Sequence, residues 1–185
     1  MNKRILVTGG TGYIGSHTVV ELQNSGYEVV IIDNLSNSRA DVVDNIEKVS
    51  GVRPIFEQLD CLDYAGLDAL FAKYDNIKGI IHFAASKAVG ESVEKPLMYY
   101  RNNLVSLINL LELMPKYGVE GIIFSSSCTV YGQPDILPVT EAAPTKVAES
   151  PYGNTKQINE EIIRDYVKSG APVNAILLRY FNPIG

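Results

Sequence analysis

Val7-Thr8-Gly9-Gly10-Thr11-Gly12-Tyr13-Ile14-Gly15 is the stretch of sequence that decides the fold. The apolar run Ile5-Leu6-Val7 leads into it and predicts a buried strand, and residues 16–24 after it predict a helix with one apolar side. A dinucleotide-binding crossover needs strand, glycine turn and helix in this order, because the turn admits a pyrophosphate and the helix N-terminus offers it N–H donors. An ordinary glycine-rich turn is the alternative, but an acidic residue downstream favours the dinucleotide.

The composition excludes several functional classes. The chain has 185 residues, of which 46% are hydrophobic and 20% charged, enough for one sizeable core and the start of a second domain. The net charge of −5 and the absence of a basic stripe argue against nucleic-acid binding, and no apolar run approaches the roughly 18 residues of a membrane helix. Cys61 and Cys128 match no metal or redox spacing, so we expect no metal site and a reducing, cytoplasmic compartment.

Strand and helix patterns alternate along the chain. Apolar runs predict strands at residues 5–8, 28–33, 53–59, 78–83, 121–124 and 173–178. Helical periodicity predicts helices at residues 16–24, 37–50, 63–74, 96–117 and 151–169. This alternation predicts an α/β, Rossmann-like, doubly wound parallel sheet with helices on both faces, in a dinucleotide-binding domain that covers residues 1–185. Residues 133–150 hold three prolines and are expected to form a loop on the active-site side.

Two acidic residues end predicted strands. Asp33 lies 18 residues beyond Gly15, close to the separation of about 20 at which a carboxylate binds the adenosine ribose. A carboxylate there repels a 2′-phosphate, which favours NAD over NADP. Alternatively, Asp33 caps the next helix, and Ser36 or Ser38 offers a cap instead. Asp60 is placed either beside the adenine or at the N-cap of the helix that follows it.

The predicted helix at residues 96–117 is apolar on nearly every side. A helix of this kind is usually buried on more than one face. One side is expected to lie on the sheet. The other is expected to face a second subunit, forming a homodimer, or a missing part of the same chain.

Tyr152 and Lys156 stand four residues apart and share one face of a predicted helix. An ammonium group beside a phenol lowers the phenol pKa from its usual value near about 10, so the phenolate can take a proton from an alcohol while a hydride leaves the carbon. An exposed Tyr–Lys pair is the alternative. Among the serines that end the preceding strand, Ser127 is expected to bond the reacting hydroxyl, and a helix or turn cap is its alternative.

These motifs resemble the extended short-chain dehydrogenase/reductase family and, within it, the UDP-glucose 4-epimerase family. The resemblance rests on GYIGSHT, DNLSNS, IHFAA-x-KAVGES, FSSSCTVYG, SPYGNTK and LRYFNPIG, which are spread over the whole chain. Cys128 stands where alanine is expected, and Ala85-Ser86 where Gly-Leu is expected. Sugar-nucleotide 4,6-dehydratases are similar but carry an Asp-Glu pair where this chain has Cys128-Thr129.

The resemblance implies tightly bound NAD and the interconversion of UDP-glucose and UDP-galactose through a 4-keto sugar. Tyr152 would be the base, Lys156 would hold the nicotinamide ribose, and Ser127 would bond the sugar 4-hydroxyl. The implied cofactor contacts are Gly9, Gly12, Tyr13, Ile14, Gly15, Asp33, Asn34, Ser36, Asn37, Ser38, Asp60, Cys61, Phe83, Ala84, Ala85, Lys87, Asn102, Ser127, Tyr152, Lys156 and Phe181. The implied substrate contacts are Ser127, Tyr152 and Asn182.

The same resemblance implies a smaller C-terminal substrate domain beyond the Asn-Pro-x-Gly segment. That domain is absent from this chain, so the chain is expected to be a truncated form with poor turnover on its own. The alternatives are a non-catalytic NAD-binding module and another nucleotide-sugar epimerase of the same family.

Overall fold

Six strands form one parallel sheet in a computed structural model that describes residues 3–183. The last two residues of the LRYFNPIG motif lie outside the described residues. The strands are β1 Arg4–Thr8, β2 Glu28–Asp33, β3 Ile55–Gln58, β4 Ile77–His82, β5 Gly121–Ser127 and β6 Asn174–Tyr180. Their order across the sheet is β3-β2-β1-β4-β5-β6, and every neighbouring pair is parallel. The first three strands are added outward from β1 in one direction, and β4 to β6 are added in the other, as the doubly wound prediction requires.

Helices cover both faces of the sheet. They are α1 Tyr13–Asn24, α2 Val42–Ser50, α3 Tyr64–Lys73, α4 Val89–Glu94, α5 Pro96–Lys116 and α6 Pro151–Lys168, with a 3₁₀ helix at Cys128–Tyr131. One core joins the α1 and α2 side to the sheet through residues such as Val7 and Val19. The other joins the α3, α5 and α6 side through residues such as Leu6, Leu107 and Ile163. Leu6 and Val7 point to opposite faces because side chains alternate along a strand. The predicted Rossmann-like architecture is therefore confirmed.

Several boundaries differ from the prediction. α2 begins at Val42 instead of residue 37, because the Asp33 and Asn34 side chains accept hydrogen bonds from the Leu35 and Ser36 amides and hold a loop there. β5 continues through Ser127, since its last three residues still pair with β6. The short helix α4 was not predicted, and residues 133–150 form the expected loop without strand or helix.

The long helix α5 is covered within the chain on more than its sheet-facing side. Asn109 donates to the carbonyl of Cys61 in the turn before α3, and the Tyr166 hydroxyl of α6 donates to the carbonyl of Leu111. Part of the apolar excess on α5 is therefore buried by α3 and α6. Val105 and Ile108 stay exposed, and the homodimer through this helix stays a prediction.

Two wider properties follow from the described part of the chain. Within residues 3–183, no helix has both the length and the hydropathy needed to cross a membrane. The same residues contain no grouping of histidine, cysteine and carboxylate side chains suited to a metal ion.

The turn between β1 and α1 depends on close contact between backbone atoms. Gly9 has a φ of +68°, a conformation that favours glycine, and its amide donates to the carbonyl of Ile32 on β2. A Cβ at Gly15 would lie 2.3 Å from the carbonyl oxygen of Gly9, far inside van der Waals contact. A Cβ at Gly9 would lie 2.7 Å from the amide nitrogen of Ala84, beyond β4. Glycine therefore lets three segments meet at one edge of the sheet.

We predict that Gly15→Ala lowers the free energy of unfolding by about 1–3 kcal/mol, the usual effect of overpacking a tight site. Urea denaturation followed by circular dichroism measures it. Gly90→Ala is the matched control, because a Cβ there meets nothing within 4 Å, and its effect should stay within about 0.5 kcal/mol. Equal stability of the two variants would contradict the close packing described for the turn.

Candidate active site

The carboxyl ends of the parallel strands place the predicted site residues along one edge of the sheet. The glycine turn follows β1, Asp33 ends β2, residues 83–88 follow β4 and Ser127 ends β5. Direct contacts link neighbouring parts of this edge. The Thr11 amide donates to Asp33 at 3.3 Å, and the Ala84 amide donates to the Thr8 hydroxyl at 3.2 Å. Ligands of open α/β sheets bind at such an edge, beside the reversal of strand order.

The N-terminus of α1 has the features of an anion site. Its N-cap is Gly12, which offers no side-chain cap, and no acidic residue lies in the first turn. The first intrahelical bond of α1 is donated by Ser16, so the amides of Tyr13, Ile14 and Gly15 precede the hydrogen-bonded part of the helix. These amides and the helix dipole favour a negatively charged group. The residues present therefore fit the diphosphate of a dinucleotide.

Asp33 crosses from β2 to the glycine turn. One carboxylate oxygen accepts from the Leu35 amide and the Ser38 hydroxyl at 2.9 Å each, and the other accepts from the Thr11 amide. The N-cap of α2 is Asp41, so capping of that helix by Asp33, Ser36 or Ser38 was wrong. Asp33 therefore does not cap α2, and its contact with the ribose stays a prediction.

Asp60 is held beside the same loop. Its carboxylate accepts from the Leu62 amide at 2.8 Å and from the Asn34 side chain at 2.9 Å. The N-cap of α3 is Asp63, which accepts from the Gly66 amide, so the helix-cap alternative for Asp60 was wrong. Burial raises the pKa of the Cys61 thiol to about 12, because the thiolate cannot be solvated there. The Cys61 side chain is therefore an unreactive thiol that packs in this region.

The segment after β4 is anchored by polar side chains beneath it. His82 is buried, and its Nδ1 lies 2.7 Å from the Thr8 hydroxyl. Burial lowers the pKa of His82 to about 3, with a further contribution from the Lys156 charge, so the imidazole is neutral and structural. The Ser86 amide donates to Asn103 at 2.8 Å, and Asn102 donates to the Ser86 hydroxyl at 3.2 Å.

Other predicted cofactor contacts lie at the surface. Phe83, Ala84 and Ala85 are half-buried at this edge, whereas Ser36, Asn37 and Lys87 are exposed. Phe181 and Asn182 are also exposed, just past the end of β6. Their contacts with cofactor or substrate stay predictions.

Ser127, Tyr152 and Lys156 come together where β5 meets the first turns of α6. The Ser127 side chain lies near enough to the Tyr152 phenol to lower its pKa, and its hydroxyl accepts from the Thr129 amide at 3.3 Å, so it also caps the 3₁₀ helix. Lys156 is 3% exposed, donates to the Ser125 carbonyl at 2.7 Å, and lies 5.8 Å from the centre of the Tyr152 ring. The alternative of an exposed Tyr–Lys pair was therefore wrong.

The protonation states differ from the expectation. Burial is the largest influence on the Tyr152 phenol and raises its pKa, with the hydrogen bond from Ser127 acting against it and the Cys128 thiolate acting with it. The prediction that Lys156 lowers the pKa of the Tyr152 phenol is therefore wrong for the protein alone, because the effect of burial is larger than that of the favourable contacts. Burial also lowers the pKa of Lys156 to about 8, because an ammonium group is poorly solvated there.

Sequence reasoning missed a buried ion cluster one helical turn beyond Lys156 on α6. Glu160 is 1% exposed and accepts two hydrogen bonds from Arg179 of β6, at 2.9 and 2.7 Å. The available signal was spacing, because Glu160 follows Lys156 by four residues and shares its helix face. Arg179, nineteen residues further on, carries no comparable local signal.

We predict that the free energy of unfolding of the wild type, minus that of Lys156→Met, rises as the pH increases from about 8 to 10.5, the ordinary pKa of lysine. In this window the unfolded chain binds a proton at Lys156 that the folded chain does not, so stability increases with pH. Urea titrations across the window measure the difference. The exposed Lys168→Met is the control and should follow the wild-type curve. A constant difference between wild type and Lys156→Met would contradict the lowered pKa.

Comparisons with known proteins identify related sequences and structures. UDP-glucose 4-epimerases are 54% identical in Schizosaccharomyces pombe, 52% in Bacillus subtilis and 50% in Homo sapiens. The matches cover 98%, 98% and 100% of this chain, and 52%, 53% and 55% of those proteins. The chain therefore spans about half the length of the curated relatives that it matches.

Solved structures give the same result. The UDP-glucose 4-epimerase of Bifidobacterium longum in complex with NAD⁺ and UDP superposes with a TM-score of 0.96 at 46% identity, covering 99% of this chain and 54% of that chain. The UDP-glucose 4-epimerase of Stenotrophomonas maltophila with bound NAD and formylated UDP-arabinopyranose superposes with a TM-score of 0.95 at 46% identity. The match covers 100% of this chain and 54% of that chain. The model of the NAD dependent epimerase/dehydratase family matches residues 5–185, and this chain belongs to that family.

Proposed function

We propose that the protein interconverts UDP-glucose and UDP-galactose with NAD bound along the carboxyl edge of its sheet. The observation that carries this proposal is the grouping of the buried Ser127 and Lys156 with the half-buried Tyr152 on the same edge as the uncapped N-terminus of α1. One part of the edge suits a diphosphate, and the other brings a phenol, a hydroxyl and an ammonium group together. The identity of about half of the residues to UDP-glucose 4-epimerases supports this substrate class.

The chain has groups suited to each part of the cofactor. The amides that begin α1 would hold the diphosphate, and the Asp33 carboxylate would accept hydrogen bonds from the adenosine ribose. Bound NAD supplies a hydride acceptor and a positive charge at the nicotinamide. Lys156, buried and anchored on the Ser125 carbonyl, would offer its remaining ammonium protons to ribose hydroxyls.

Tyr152 would hold and move the proton. Its raised pKa keeps the Oη atom protonated at neutral pH in the protein alone, so a nearby positive charge is needed to favour the phenolate. Ser127 lowers the Tyr152 pKa and would donate to the ionised oxygen, which stabilises the phenolate further. The ionised Oη can then accept the proton of the sugar 4-hydroxyl and return it after the second hydride transfer. The chemistry uses no net oxidation or reduction of the sugar.

The experiment begins with the chain purified without added cofactor. Denaturing it and analysing the released small molecules by ultraviolet absorbance and mass should reveal NAD. The native protein is then mixed with UDP-galactose, and the absorbance band of reduced nicotinamide should appear. NAD with transient reduction supports the proposal. NAD without reduction would favour an NAD-binding module for this chain, and an absence of NAD would contradict cofactor binding itself. UDP-N-acetylglucosamine, tested in parallel, separates the related nucleotide-sugar epimerases.

Tyr152→Phe should keep its NAD and lose at least about 100-fold in the rate of nicotinamide reduction, because the proton acceptor is removed. Stopped-flow absorbance of the NAD-loaded protein measures the rate. Tyr64→Phe, at an exposed site on α3, is the matched control and should react at the wild-type rate. Reduction by Tyr152→Phe at the wild-type rate would show that another group takes the proton.

A further inference from the structure

The Glu160 carboxylate joins three elements at the back of the active site. It accepts from the Ser126 hydroxyl of β5 at 2.6 Å, from Arg179 of β6 at 2.7 and 2.9 Å, and from Arg164 of α6 at 2.6 Å. Burial raises the pKa of Glu160, but the hydrogen bonds from Arg179 and Ser126 outweigh it, and the pKa lies below its usual value. A buried carboxylate is stable only when it is paired and hydrogen-bonded in this way.

Glu160 and its partner Ser126 lie close in sequence to residues of the proposed reaction. Ser126 directly precedes Ser127, whose side chain lowers the pKa of the Tyr152 phenol. Glu160 itself lies one helical turn after Lys156 and two turns after Tyr152, on the same face of α6. A single carboxylate therefore connects the strand end that carries Ser127 with the helix face that carries Tyr152.

Arg179 extends the connection towards the cofactor side. Its guanidinium carbon lies 4.7 Å from the centre of the Tyr131 ring. The Tyr131 ring in turn stacks on the Phe181 ring, with 6.3 Å between centroids and 28° between planes. The 3₁₀ helix after Ser127 and the segment after β6 are thereby tied to the same ion pair.

We propose that Glu160 is a positioning residue for the Ser127–Tyr152 pair. Its bond to Ser126 holds the end of β5 in register with α6, so that the Ser127 hydroxyl keeps pointing at the phenol oxygen. The proposal rests on the function proposed above, in which Tyr152 is the base. Glu160 is not itself in the reaction, because it is almost fully buried and its oxygens are occupied by Ser126 and two arginines.

Apolar packing alone does not provide this register. Ile163 of α6 and Phe124 of β5 belong to one core cluster and hold the helix against the sheet. Such contacts are non-directional, whereas a hydrogen bond weakens steeply when its angle or length changes. The distance between α6 and β5 is thus set by the core, and the alignment of their residues by Glu160.

The test uses two variants that keep the net charge. Ser126→Ala removes the hydroxyl that Glu160 holds, and Glu160→Asp shortens the carboxylate by one methylene. Constant charge matters because Tyr152 also faces Cys128, Lys156 and Tyr99. Tyrosine labelled with ¹³C at the ring carbon bearing the hydroxyl reports the ionisation by NMR. The chain has 11 tyrosines, so the Tyr152 signal is assigned by its loss in Tyr152→Phe.

We expect the pKa of Tyr152 to rise in both variants, with its ionisation constant falling about threefold or more, because the opposing effect of Ser127 is weakened. Ser106→Ala is the matched control, since Ser106 is equally buried but lies on α5 away from β5. Arg164→Lys tests the more exposed arm of the cluster, and both controls should titrate like the wild type. A merely structural Glu160 would lower stability and leave the Tyr152 titration of the folded protein unchanged.

An unchanged titration in Ser126→Ala would overturn the proposal. If Glu160→Asp fails to fold, as judged by its ¹⁵N–¹H spectrum, Ser126→Ala decides alone because it removes only one hydroxyl. Bound cofactor is removed from the wild type and from each variant before the titration, and no sugar is added. A wild type that is purified without NAD would refute the proposed function, whereas a wild type purified with NAD and an unchanged Ser126→Ala titration would refute only the role of Glu160.

Discussion

Contact between backbone atoms at the β1–α1 turn is the constraint on which the rest of the site depends. A Cβ at Gly15 would lie 2.3 Å from the carbonyl oxygen of Gly9, and a Cβ at Gly9 would lie 2.7 Å from the amide nitrogen of Ala84, so no side chain fits at either position. The first turn of α1 is therefore placed directly above the carboxyl edge of the sheet, beside the segment that follows β4. Because Gly12 provides no side-chain cap, the first amides of the helix are left for a ligand. The anion site thus follows from the absence of side chains.

The opposite end of the edge is built from side chains whose charges are difficult to bury. Lys156, Tyr152 and Glu160 lie along one face of α6 at successive turns, and each responds to burial in its own direction. Glu160 stays ionised because Arg179 and Ser126 compensate its burial. Lys156 donates to one carbonyl and has a pKa of about 8. Tyr152 has only Ser127 as a favourable neighbour among the described residues and stays protonated. The number of compensating contacts therefore decides which group holds its charge.

The sequence predicted the features that local patterns encode. Three of these features depend only on residues that are close in sequence. They are the glycine turn, the apolar patterns of the strands and helices, and the spacing of Tyr152 and Lys156. The start of α2 was misplaced because Asp33 and Asn34 hold their own loop, and the cap of α3 is Asp63 and not Asp60, the alternative that the sequence offered. The ion pair of Glu160 with Arg179 joins separate elements, so no periodicity marks it. The direction of the Tyr152 pKa depends on burial, which spacing does not report.

The raised pKa of Tyr152 has a consequence for how the site responds to ligands. A positively charged group bound beside the phenol lowers its pKa, and by linkage the phenolate must bind that group more tightly than the phenol does. Loss of the positive charge reverses the effect and returns the proton to Oη. The burial that makes Tyr152 a poor base in the protein alone therefore couples its protonation to the charge of its neighbour. An exposed tyrosine, screened by water, would respond to the same change much less.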